Sequence, residues 1–89
     1  MKLYRSVAIW RRLSGEEGVR YSCFEDLRSG KFCVQSADFF HLPVNVEMVN
    51  RADKQFVELF LEIDPEERCT WYDTLRDAIT AHEKEFSNS

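Results

Sequence analysis

From Asn45 to Ile63 the chain runs NVEMVNRADKQFVELFLEI. At 3.6 residues per turn Met48, Val49, Ala52, Phe56, Leu59, Phe60 and Ile63 gather on one side, with Glu47, Arg51, Lys54, Gln55, Glu58 and Glu62 on the other. This pattern predicts an amphipathic helix of about five turns. Its second half also alternates as a strand would, with Val57, Leu59, Leu61 and Ile63 against Glu58, Phe60 and Glu62. The polar stripe along the whole segment and its good helix formers favour the helix. Val57 and Leu61 fit it least well, on the flank of the apolar side, where they extend the buried face or touch a partner.

The first part of the chain alternates with period two. Leu3 to Leu13 is rich in β-branched and aromatic residues, with Leu3, Arg5, Val7, Ile9 and Arg11 pointing one way and Tyr4, Ser6, Ala8, Trp10 and Arg12 the other. A polar turn at Ser14–Gly18 precedes a second strand over about Val19–Leu27, with Val19, Tyr21, Cys23 and Leu27 opposite Arg20, Ser22, Phe24 and Asp26. Ser29-Gly30 signals a tight turn into a third strand from Lys31 to about Ser36. Connections this short predict an antiparallel meander, because parallel pairing needs a crossover of a dozen or more residues. Ser36 to Pro43 is expected to leave the sheet, with Phe39 and Phe40 plugging the gap between sheet and helix.

Beyond the long helix, Asp64-Pro65-Glu66-Glu67 and Thr74 followed by Asp77 are helix starts. Leu75, Ala78, Ile79, His82 and Phe86 line one face of a last helix from about Thr74 to Glu85, whose start as early as Pro65 is left open. The expected fold is α+β: a three-stranded antiparallel β-meander followed by two helices packed on one face, β-β-β-α-α. With 89 residues the chain forms one domain over 1–86, with residues 87–89 frayed.

Composition adds limits. Hydrophobic residues make up 44% of the chain and aromatic residues 13%, which suits a packed core and excludes disorder. No apolar run approaches the ~20 residues of a membrane helix, so no membrane partner is expected. The N-terminus lacks a signal-peptide core, and Cys23, Cys33 and Cys69 are odd in number without metal spacing. A cytoplasmic protein with free thiols is expected. Residues 1–44 carry seven Lys/Arg against five Asp/Glu and residues 45–89 five against eleven, an acidic balance that disfavours general nucleic-acid binding.

Candidate chemistry is sparse. His41 lies in a loop and His82 on an apolar helix face, and a strand cysteine is usually a small buried hydrophobe. No catalytic constellation, metal site or cofactor motif is present in the sequence, and the expectation is a non-enzyme without cofactor. If Val7 and Ile9 pack inward, Tyr4, Trp10, Arg12, Arg20 and Phe24 share an open sheet face. Aromatic rings beside arginine suit a protein partner, or the chain itself as a homodimer. The alternative is single-stranded nucleic acid stacked on the same face. A thiol-dependent enzyme, with a cysteine brought to a histidine by the fold, is the third.

Overall fold

The computed structural model describes residues 1–87. Strands β1 (Tyr4–Arg12), β2 (Glu17–Asp26) and β3 (Lys31–His41) form one antiparallel sheet in the order β1-β2-β3. Helices α1 (Val46–Glu62), α2 (Pro65–Arg68) and α3 (Leu75–Ser87) follow. The α+β class and the meander followed by helices are as expected from the sequence. The long central segment is the helix and not the strand, started by Asn45, whose Oδ1 accepts from the Met48 amide at 2.8 Å. Pro65 opens a separate four-residue helix, and Thr74 caps the start of α3, its hydroxyl oxygen accepting from the Asp77 amide at 3.0 Å.

The placement of the helices differs from the expectation of both on one face. Register sets Ser6 opposite Phe24, Ala8 opposite Ser22 and Trp10 opposite Arg20. This face carries α1: the Phe24 ring lies 5.3 Å from both Phe56 and Phe60, and Arg20 meets Asp53 at 3.0 Å. Val7, Ile9, Val19, Tyr21, Cys23, Val34 and Ala37 face the other way and pack on Leu75 and Ile79 of α3. The sheet is therefore the middle of three layers. Both its faces are apolar enough to need a cover, and one helix serves each.

The chain changes layer through the segment between α1 and α3, which crosses one end of the sheet. Lys2 meets Glu66 at 2.8 Å, Arg28 meets the same carboxylate at 3.2 Å, and the Tyr4 hydroxyl donates to Asp64 at 2.5 Å. Tyr72 then exchanges two backbone hydrogen bonds with Phe32, of 2.7 and 2.8 Å, at the outer edge of β3. From there α3 begins under the opposite face.

β3 is also longer than its sequence pattern predicts. The ladder slips between Ser22 and Cys23: Cys23 pairs with Val34 but Ser22 with Ser36, which leaves Gln35 as an extra residue. Odd position 33 faces α1 before the slip, and even positions 36, 38 and 40 face it afterwards. Ser36–His41 therefore stays in the sheet, with Phe40 beside Trp10 at 5.9 Å and Phe39 exposed on the α3 side. The two rings do not plug a gap between sheet and helix. Residues 88 and 89, where fraying is expected, and the side chain of Phe86 lie outside the described residues.

Candidate interaction surface

The five residues expected on an open face are divided by α1. Tyr4 and Phe24 are beneath it: Phe24 is 4% exposed, and the Tyr4 ring contacts Phe24, Phe60 and Trp71 at 6.0–6.1 Å. Burial, followed by the hydrogen bond to Asp64, pushes the Tyr4 hydroxyl up to about 12. The same bond holds Asp64 below the usual carboxylate range. These two aromatics are core residues, because the apolar side of α1 needs the aromatic sheet surface as much as the sheet needs the helix.

Trp10, Arg12 and Arg20 lie toward the other end of the same face. The Arg20 side chain is 14% exposed, within 3.0 Å of Asp53 and 3.5 Å of Asp38. Its guanidinium carbon lies 5.8 Å from the Trp10 ring centre and 5.3 Å from that of Phe40. Arg20 thus ties β2, β3 and α1 together and is not offered to a partner. Trp10 is 62% exposed, and Arg12 is exposed beside the turn that ends β1.

The surface that remains is the outer edge of β1. The Leu27 amide donates to the Leu3 carbonyl and the Leu13 amide to the Glu17 carbonyl, so odd positions of β1 turn their backbone groups toward β2. Antiparallel alternation then turns those of Tyr4, Ser6, Ala8, Trp10 and Arg12 outward. None of the described residues pairs with them. Nine residues of sheet edge are open on this side.

One flank of α1 overlooks that edge. Asp53, Ser6, Ala8, Ser22 and Phe56 line a notch of about 160 Å³, whereas Gln55 and Leu59, on the other flank, line a groove at β3. Val57 and Leu61 follow Asp53 by one and two turns, and Val46 precedes it by about two. These three are exposed, Val57 at 53% and Leu61 at 75%. An apolar helix flank, a tryptophan and an unpaired strand edge thus adjoin one another. The sequence marked Val57 and Leu61 as misfits of the helix pattern, but gave no sign of which sheet edge they face.

The groove at β3 is the other large concavity, about 580 Å³, with Tyr21, Gln35, Ala37, Leu59 and His82 among its walls. Gln35 donates from Nε2 to the Phe56 carbonyl at 3.2 Å, while its buried Oε1 has no partner in the protein. Burial pushes the His82 imidazole below its ordinary value. A smaller cavity of about 340 Å³ brings His82 and Cys69 into one wall. The three thiols differ. Burial raises Cys23 to about 11; Cys33 is raised chiefly by its hydrogen bond to Cys69, and that bond holds Cys69 below the ordinary thiol value. Cys23 and Cys33 are buried, as a strand cysteine should be, but Cys69 lies half-exposed beyond α2.

Among the described residues no group of three or more His, Cys, Asp or Glu is placed to hold a metal ion, and no helix is long and apolar enough to cross a membrane. Comparison of the chain with protein-family models, curated proteins and solved structures gives no match.

Proposed function

We propose that this chain is a protein–protein interaction domain and not an enzyme, and that it docks through the β1 edge together with the adjoining flank of α1. The observation that supports this is the meeting of unpaired backbone with exposed apolar side chains on one side of the molecule. Strand edges bind through main-chain hydrogen bonds, and apolar groups beside them supply the desolvated centre of an interface. The nucleic-acid alternative drew on an open aromatic sheet face, and α1 lies on that face.

A photo-crosslinking amino acid placed at Val57, and separately at Glu47 on the outer face of α1, tests the proposal in cells. Adducts with protein that form at position 57 and not at 47 are expected. Equal labelling at both sites, no adduct at either, or an adduct removed by nuclease overturns it.

A further inference from the structure

We infer that the partner of this surface is a second copy of the chain, joined β1 to β1 about a two-fold axis through Ala8 so that two three-stranded sheets become one of six strands. The inference rests on the docking surface proposed above and adds its occupant. Antiparallel pairing of two outer edges requires that outward-facing residues meet outward-facing residues. A two-fold at Ala8 does this over all nine residues, setting Tyr4 across from Arg12, Ser6 across from Trp10 and Ala8 across from itself. A two-fold at Val7 or Ile9 pairs only seven of the nine strand residues.

Side chains agree with this register. Trp10, exposed in one copy, falls opposite Ser6 of the other, beside the notch over Ser6, Ala8 and Ser22. The small residues that leave the notch empty are thus matched by a ring that lacks cover. On the α3 side Val7 meets Ile9, which completes the half-buried apolar row there. Arg5 meets Arg11, but each already has a carboxylate in its own chain, Glu25 and Glu83, both at 2.7 Å. Their mutual repulsion is correspondingly reduced.

Distances agree as well. α1 rests over β2 and β3, with Phe24 under Phe56 and Phe60 and Gln35 bonded to the Phe56 carbonyl, so about four strand spacings of ~4.8 Å, or about 19 Å, would separate the two α1 axes. Helices of about 10–12 Å diameter leave a groove of about 8 Å over the joined strands, which Val57, Leu61 and the two indoles border. The molecule measures 41 × 26 × 22 Å, and a side about 30 Å long and about 25 Å deep offers about 750 Å². A stable interface takes ~800 Å² from each partner. The β3 edge is the weaker choice because Tyr72 already occupies its start.

Sedimentation equilibrium of the full chain from about 1 µM to about 1 mM tests the inference. The expected result is a mass of twice 10.6 kDa, falling to one chain mass on dilution. Leu61→Glu places a carboxylate on the apolar flank that borders the joined strands, and Ala8→Pro removes the central outward amide. Both positions are exposed in the single chain, and circular dichroism checks that each variant is folded. Each is expected to weaken self-association at least about tenfold, with Arg51→Glu on the outer face of α1 leaving it unchanged. A wild-type chain monomeric up to about 1 mM, or folded variants that associate as the wild type does, overturns the homodimer. If position 57 still crosslinks to a different protein while the chain is monomeric, the docking surface stands and only its occupant is wrong.

Discussion

Phe24→Ala separates a sheet covered on both faces from one with an open aromatic face. The ring is 4% exposed, 5.3 Å from Phe56 and Phe60 and 6.0 Å from Tyr4, so truncation leaves a cavity between sheet and helix. Buried Phe→Ala changes cost about 3–5 kcal/mol. A chain of 89 residues has in total about 4–13 kcal/mol of stability, so the variant should lose a large share of it. Urea unfolding followed by tryptophan fluorescence reads the change, since Trp71 stacks on Tyr4 in the same cluster. At an m-value of about 1.5 kcal/mol/M, a loss of 3 kcal/mol lowers the midpoint by about 2 M. Phe24→Leu keeps most of the volume and supplies a measurable midpoint if the alanine variant is largely unfolded. A loss below about 0.5 kcal/mol for Phe24→Ala, the value of a surface site, refutes the covered face.

Three further outcomes follow from the same structure. The Tyr4 hydroxyl, raised to about 12 by burial and Asp64, contributes stability that is complete below pH 10 and lost as pH rises through about 12; burial also raises Tyr21, so a tyrosinate absorbance titration should show a late-titrating fraction that Tyr4→Phe reduces without abolishing. His82, held below 6.5 chiefly by burial, contributes stability that is complete above pH 6.5 and lost as pH falls through its folded value, so His82→Gln should flatten the midpoint between about pH 8 and about pH 5. Iodoacetamide should label Cys69 in the native protein and reach Cys23 and Cys33 only on unfolding, and Cys69→Ser should abolish native labelling.

Strand and helix periods were legible in the sequence because each element buries one side. Val7, Ile9 and the alternating residues of β2 gave the meander, and Asp64 and Thr74 gave the starts of the two later helices, since capping is local chemistry. Two features depended on distant partners. The extra residue at Gln35 inverts the alternation of β3, so Ser36–His41 no longer reads as strand, and only the pairing with β2 restores it. Both faces of β2 carry aromatic or aliphatic residues, Phe24 on one and Val19 and Tyr21 on the other. Periodicity cannot tell whether two helices share one of those faces or divide them. That choice decides the candidate site: with α1 over Phe24 and Tyr4, the surface moves from the sheet face to the sheet edge.

Residue-resolved amide exchange along β1, at dilute and concentrated protein, tests the β1-to-β1 assembly most directly. Tyr4, Ser6, Ala8, Trp10 and Arg12 point their amides away from β2, and pairing of this edge should slow exchange at the central Ser6, Ala8 and Trp10 as concentration rises, while Val7 and Ile9 stay protected throughout. Rates at Ser6, Ala8 and Trp10 that do not change with concentration, or slowing at Ala37 and Phe39 on the β3 edge instead, would contradict assembly through β1.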